Sequence, residues 1–269
     1  MTTTAVLSTP VETAPDSTPS DPGAPLPAAL VDSYRRNGFV QVRGVLEAAE
    51  VERFAAAARK VYEHGQALNA GDRTFKQVVD VWRQDEVLRE LTFHAGLAVA
   101  ATQLAGIPLR LWHDQLLMKK PHNQAPTEYH QDAPYWPHAG SRHSLSAWVA
   151  LVDVPFERGC MSFIPGQQDR HDIRPVDLTD RTDLFEAAPD LVYHPRVTLP
   201  LRAGDVTFHH SYTPHTANAN DTDEVRLAQV VIYADRDLTY DGSPHVCTDP
   251  LGLVVGQPLP DEDFPLLPR

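Results

Sequence analysis

The chain has little of what holds small extracellular proteins together. Two cysteines, Cys160 and Cys247, occur in 269 residues, and neither sits in a CxxC pair. That excludes a disulfide framework; two reduced thiols are the expected state, with one bridge as the alternative. No run of about 18 uninterrupted apolar residues exists, so no membrane helix is expected. Basic side chains are outnumbered, 23 Lys+Arg against 36 Asp+Glu, for a formal net charge of −13. Such a surface repels phosphate backbones and anionic lipid heads, so neither nucleic acid nor a membrane is an expected partner. The first basic side chain is Arg35 and no apolar stretch precedes it, which argues against a secretory signal and for a cytoplasmic protein. Internal repeats are absent.

What is present is a hydrophobic fraction of 42%, enough for one large domain or two small ones. Residues 1–27 are rich in Thr, Ser and Pro and read as a disordered tail, with one domain over 28–269. Leu30 and Tyr34 have helical spacing, Gly38 fits a helix stop, and "FVQVRGVL" alternates like a strand. "EAAEVERFAAAARKVYEHGQAL" places Val51, Phe54, Ala58, Val61 and Tyr62 on one helical face, and "DEVLRELTFHAGLAVAATQLAG" predicts a third helix. From there the period changes. "LRLWHDQLLMKK", "SLSAWVALVDV", "CMSFIP", "RVTLPLR", "DVTFHH" and "VRLAQVVIYAD" read as strands divided by turn residues. Helices followed by many short strands predict an α+β protein whose strands close into a barrel or double-sheet jelly roll.

Within the strand region, "EYHQDAPYWP" puts His130 and Asp132 two residues apart. On a strand, residues i and i+2 point the same way, so imidazole and carboxylate can meet at one point while Gln131 faces away. One more imidazole would complete the two-His, one-carboxylate facial triad of non-haem Fe(II) oxygenases. His-x-Asp alone also fits a strand end with an Asp capping a turn. A second His is available in "GDVTFHHSYTPHTANAN": His209 and His210 read as mid-strand, whereas His215 follows Pro214 at a strand end, within reach of a metal at the rim. Arg226 opens an otherwise apolar strand. It either forks around a dicarboxylate ligand or pairs at the surface with Asp223 or Glu224.

"YHQD", "LSAWVALVDV", "GCMSFIPGQQ", "GDVTFHHSYTPHTANAN" and the Arg226-Leu-Ala run, in this order from about Ala29 to Phe264, resemble the phytanoyl-CoA dioxygenase (PhyH) family of Fe(II)- and 2-oxoglutarate-dependent oxygenases. The resemblance implies a cupin-like double-stranded β-helix core flanked by N-terminal helices, with O2 as the oxidant. It implies His130, Asp132 and His215 as iron ligands and Arg226 as the anchor of the far carboxylate of 2-oxoglutarate. Trp148 is implied to pack near that cosubstrate, and Lys120 (with Lys119 competing for the position) and Gln115 to help bind it. Where many members have Gly-Ser after the distal His, this chain has Thr216 and Ala217, so a hydroxyl contact to the cosubstrate is either lost or supplied by Thr216. Ala228 offers none. Because Asp132 is present, hydroxylase-type chemistry is expected over halogenation.

On the substrate side, Tyr135 and Trp136 are expected to line the cavity, with Phe75, Gln77 and Trp82 of the helical N-terminal region as its other wall. The expected substrate is a small secondary-metabolite intermediate, which C–H abstraction would hydroxylate, desaturate, cyclise or epimerise. The rival readings are a non-catalytic jelly-roll binding protein and a cupin-type metalloenzyme that does not use 2-oxoglutarate. His64, His94, His138, His143 and His171 read as surface or packing residues, and Cys160 as buried and inert.

Overall fold

In the computed structural model, residues 24–64, 68–70, 75–123, 125–178, 180 and 182–268 are described. The elements run α1 (Ala28–Asn37), β1 (Phe39–Val42), α2 (Ala48–His64), β2 (Leu68–Ala70), β3 (Phe75–Val79), α3 (Glu86–Thr92), α4 (Ala95–Ala105), β4 (Leu109–Lys119), β5 (Thr127–His130), β6 (His138–Ala139), β7 (Ser144–Ala150), β8 (Met161–Phe163), α5 (Asp183–Ala187), β9 (Val197–Leu199), β10 (Val206–His210), β11 (His215–Ala217), β12 (Arg226–Asp235) and β13 (Thr239–Tyr240). The α+β expectation holds, but three strands, β1 to β3, are interleaved with the N-terminal helices, and α5 follows β8.

Two antiparallel sheets form the core. One has seven strands in the order β1-β10-β7-β12-β4-β3-β2, the other four in the order β5-β11-β8-β9. Strand alternation splits the larger sheet into two buried faces. Leu145, Ala147 and Val149 of β7, Val206 and Phe208 of β10, and Leu116 and Met118 of β4 pack with Leu30, Phe54, Leu88 and Leu97 of the helices. The opposite face turns Trp148, Ala150, Ala228 and Val230 toward Met161 and Phe163 of the smaller sheet. The layers are therefore helices, large sheet and small sheet, and the inter-sheet layer holds the site. Truncating a fully buried aromatic such as Phe208 to Ala would cost about 3–5 kcal/mol in lost contacts and cavity.

Gly38 is the joint between α1 and the sheet. Its φ is +80°, and a Cβ there would lie 2.3 Å from Thr213 Oγ1, so no other residue fits without displacing the 210–215 loop. Its carbonyl accepts from His210 N at 2.8 Å and from Thr213 Oγ1 at 2.9 Å.

Four expectations are corrected. The single helix over 85–106 is two: Thr92 turns its hydroxyl to Leu88 O and to the Asp114 carboxylate, α3 ends, and α4 starts at Ala95. The helix expected through Leu68 ends at His64, and Leu68–Ala70 forms β2. Phe75 and Gln77 lie on strand β3, paired with β4, not on a helix. Of the tail expected over 1–27, residues 1–23 lie outside the described residues, but Leu26 is buried and held at both backbone atoms by Gln103.

A candidate metal centre between the sheets

β5 and β11 pair so that His130 and His215 stand opposite one another in register. Their ring centroids are 4.3 Å apart. Asp132 is not on the strand as expected. β5 ends at His130, and Asp132 has helical backbone angles at the start of a short 3-10 turn. Its N–H donates to Ser211 O at 2.8 Å, while Gln131 is buried on carbonyls of Arg170 and Tyr212. The turn, not strand alternation, brings the carboxylate back to the imidazoles. Asp132 Oδ1 lies 3.5 Å from His130 Nε2 and 3.7 Å from His215 Nε2.

The far nitrogens of both rings are tied to backbone. His130 Nδ1 donates to Glu128 O at 2.7 Å and His215 Nδ1 to Thr213 O at 3.0 Å. A carbonyl only accepts, so each Nδ1 carries a proton and each ring turns its Nε2 toward Oδ1. Burial, followed by the neighbouring His130, pushes the His215 imidazole down to about 3. Burial alone would raise the Asp132 carboxyl, but the surrounding imidazoles, His215 first, more than offset this and hold it well below the usual carboxylate range. A divalent metal at that point would displace any Nε2 proton and take one lone pair from each ring and one from Oδ1. A two-imidazole, one-carboxylate donor set with backbone-fixed tautomers suits a divalent first-row metal such as Fe(II).

The other carboxylate oxygen is already engaged. Asp132 Oδ2 accepts from Ser146 Oγ at 3.0 Å and from His209 Nε2 at 3.2 Å. His209 and Ser146 did not figure among the expected site residues, although the alternation held the signal. Val206 and Phe208 face the helices, so His209 must face the other way; Leu145 and Ala147 place Ser146 likewise.

His130, Asp132, His215, His209, Trp148, Gln115 and Arg226 share one cavity of about 80 Å³, closed by Leu117, Met161, Ala217 and Val230. Arg226 is 1% exposed, and its Nε and Nη1 have no hydrogen-bond partner among the described residues. The alternative surface pairs are taken elsewhere: Glu224 binds Arg158 at 2.6 Å and Asp223 binds His122 at 2.8 Å. The guanidinium lies 5.4 Å above the Trp148 ring, and burial alone lowers its pKa to about 10. An unpaired buried guanidinium is costly, and an incoming carboxylate would satisfy it. The dicarboxylate expected from the sequence fits this end of the cavity, as a metal fits the other.

Other expected residues are placed elsewhere. Lys120 is exposed; strand alternation buries Lys119 in its stead, where Nζ donates to Ala125 O, Ala217 O and Asn218 O at 3.0, 3.0 and 2.8 Å. Thr216 points away from the cavity and donates to Thr127 O, because His215 and Ala217 occupy the inward positions of β11. Tyr135 turns from the cavity to bond the backbone of Val176. Trp82 is buried among core side chains under Arg83 and Arg89. Gln77 reaches the site only through Gln115, to which its amide donates. Phe75 begins β3, and its side chain lies outside the description. Trp136 packs at the edge of the inter-sheet core, edge-on to His113. Cys160 and Cys247 are free and buried, and no helix among the described residues is long and apolar enough to cross a membrane.

A cupin-like double-stranded β-helix with this inter-sheet site defines the class of non-haem iron, 2-oxoglutarate-dependent enzymes. The profile of the family described as phytanoyl-CoA dioxygenase (PhyH) matches residues 34–228, and the chain belongs to that family. It is 25% identical over 237 residues to a probable phytanoyl-CoA dioxygenase of Caenorhabditis elegans, covering 76% of this chain and 74% of the relative. It is also 25% identical over 211 residues to the 2-aminoethylphosphonate dioxygenase of an uncultured bacterium, covering 74% and 78%. Among solved structures, the α-ketoglutarate-dependent carbocyclase SnoK from nogalamycin biosynthesis superposes with a TM-score of 0.82 at 39% identity, covering 91% of this chain and all of SnoK. The epimerase SnoN, in complex with Fe3+, α-ketoglutarate and nogalamycin RO, gives 0.80 at 39% identity, covering 90% and 98%.

Proposed function

We propose that His130, Asp132 and His215 hold the catalytic iron of this 2-oxoglutarate-dependent oxygenase, and that Arg226, backed by Trp148, takes the far carboxylate of the cosubstrate. Gln115 lies between the two ends of the cavity and is the candidate for the near carboxylate. The observation that carries the reading is the buried, unpaired guanidinium facing the same small cavity as the imidazole–carboxylate cluster. A cupin that does not use 2-oxoglutarate has no need of it, and a binding protein has no need of the metal donors.

Iron and 2-oxoglutarate held there would supply, with dioxygen, the oxidising power for C–H abstraction, with succinate and CO2 as the co-products. The chain's own residues prepare for this. Carbonyls of Glu128 and Thr213 fix the imidazole tautomers. Ser146 and His209 occupy Oδ2 of Asp132, which leaves Oδ1 alone for the metal and keeps further positions open. Trp148, Met161 and Val230 exclude water around Arg226, which strengthens its attraction for a carboxylate.

The substrate proposed is a small natural-product intermediate, handled in the cytoplasm without nucleic acid or membrane as partner. Two solved neighbours at 39% identity work in nogalamycin biosynthesis, and a net charge of −13 disfavours a polyanionic acyl-CoA. One of those neighbours closes a ring and the other inverts a centre, so either outcome stands beside hydroxylation here, because all begin with the same abstraction. Trp136 is the aromatic of the "DAPYWP" segment retained as a substrate contact.

The test is an anaerobic titration of metal-free protein with Fe(II) and 2-oxoglutarate, followed by the visible charge-transfer band of the chelate. The band should appear only with both, vanish in His215→Ala and weaken in Arg226→Ala. A folded protein that gives no band would bring the binding-protein reading forward.

A further inference from the structure

A second group of donors gathers where β4 meets the segment after β13. The pairing of β4 with β12 slips by one residue at Ile232–Tyr233, a bulge that lets consecutive residues turn the same way. It sets Trp112 in the inter-sheet core with His113 buried beside it. The segment after β13 brings His245 and Cys247 against them. A ring nitrogen of His113, a ring nitrogen of His245 and Cys247 Sγ all lie within 4.8 Å of one another.

His113 Nδ1, His138 Nε2 and Trp112 Nε1 are all buried without a hydrogen bond among the described residues, and the four aromatic rings are in mutual contact around Trp112. The bonds that compete for the donors are two. His245 Nδ1 accepts from Cys247 N at a long 3.2 Å, and the Cys247 thiol donates to the Asp80 carboxylate; burial, followed by that carboxylate, pushes the thiol well up, so an ion must displace its proton to bind. Burial, followed by mutual repulsion with His245 and His138, holds the His113 imidazole well below its ordinary range, so its lone pair is free at neutral pH.

We propose that His113, His245 and Cys247 form a second metal site, separate from the His130–Asp132–His215 cluster, for a borderline-soft divalent cation of the zinc type. Two nitrogens and a sulfur suit zinc, whereas the thiol-free donor set beside Asp132 suits iron. Three protein ligands leave one position of a tetrahedral ion open. An ion there would pin the segment after β13 to β4 and set the wall that carries Trp136. The assignment does not depend on the iron reading, because its signature is the thiolate.

The experiment is a Co(II) titration of the metal-free full chain, read by absorbance and bound stoichiometry. Two equivalents should bind, with a thiolate-to-cobalt charge-transfer band in the near ultraviolet that zinc bleaches. The band should survive in Asp132→Ala and Cys160→Ala, each of which tests a different rival ligand. It should disappear in Cys247→Ala, with stoichiometry falling from two to one. Should Cys247→Ala not fold, His113→Gln takes its place, with the band lost or its affinity reduced at least tenfold. A wild-type protein that binds one equivalent with no thiolate band, or a band that persists in Cys247→Ala, overturns the proposal, and the orphaned nitrogens then belong to ordered water or to substrate.

Discussion

The two sheets serve the same cavity by different means. The four-stranded sheet supplies the imidazoles as a cross-strand pair, His130 opposite His215, with Asp132 on the turn that follows. The seven-stranded sheet supplies Arg226, Trp148, Gln115, Ser146 and His209 from four separate strands. Short paired strands bring donors together from distant chain segments but close little volume. A wide sheet buried on both faces keeps water out and so can hold a guanidinium ready for an anion. The proposed metal ligation and charge recognition are thus divided between a thin element and a dry one.

The division can be broken from either side. Asp132→Ala has the largest expected effect: it leaves two imidazoles and no carboxylate, and substrate-linked succinate release should fall to the level of the metal-free control. Arg226→Met should act differently. Loss of charge-assisted bonds worth about 1.5–3 kcal/mol raises the KM for 2-oxoglutarate by roughly 10- to 100-fold and leaves iron binding intact. Because no carboxylate among the described residues pairs with Arg226, the Tm should hold or rise. A fall in Tm with KM unchanged would mean that Arg226 is structural and that the large sheet does not read the cosubstrate.

The third substitution tests where the sheets meet. His209→Phe removes a donor from Asp132 Oδ2 without replacing a proposed ligand. Iron affinity should drop by about 10- to 100-fold, as is usual when the outer partner of a ligating carboxylate is lost. His209→Gln, which keeps an N–H, should recover part of it. Ser146→Ala should have the smaller effect, a few-fold. An unshifted chelate band in His209→Phe would remove His209 from the positioning role.

How much of this was legible in the sequence follows the same division. The His-x-Asp pair, the distal His215 and Arg226 stand in chain segments whose order and spacing can be read directly. Trp148 and Gln115 follow once β7 and β4 are recognised as strands. Asp132 was expected on the strand beside His130, but the backbone leaves the strand at His130 and a turn anchored on Ser211 O aims the carboxylate. Lys120 and Thr216 were expected inward, but alternation along β4 and β11 puts Lys119, His215 and Ala217 there. Tyr135 and Trp82 look like pocket aromatics from composition, yet each finds its partner in a backbone or in stacked arginines. His209 was hidden because adjacent histidines give no hint of facing; only Val206 and Phe208, assigned to the helix side, reveal it. The His113 cluster depends on a one-residue bulge, which no periodicity announces.

The far face of the large sheet gives the smallest expected effect on activity and a clear one on stability. Asp114 alternates with His113 and Gln115, so its carboxyl points toward the helices, where it accepts from Thr92 Oγ1 at 2.6 Å and Gln229 Nε2 at 3.0 Å. Burial, above all, raises its pKa to about 7, against about 4 in an unfolded chain. Between these values the folded protein holds a proton that the unfolded chain has lost. The stability this shift contributes is therefore complete below about pH 4 and is lost as pH rises toward 7. Thermal melts across pH 5–8 should show this loss as a downward slope that flattens above 7. Asp114→Asn should flatten that slope while leaving the iron and 2-oxoglutarate titrations unchanged. If the variant instead weakens the chelate band, the two faces of the sheet are coupled, and the separation between its structural and its recognition face fails.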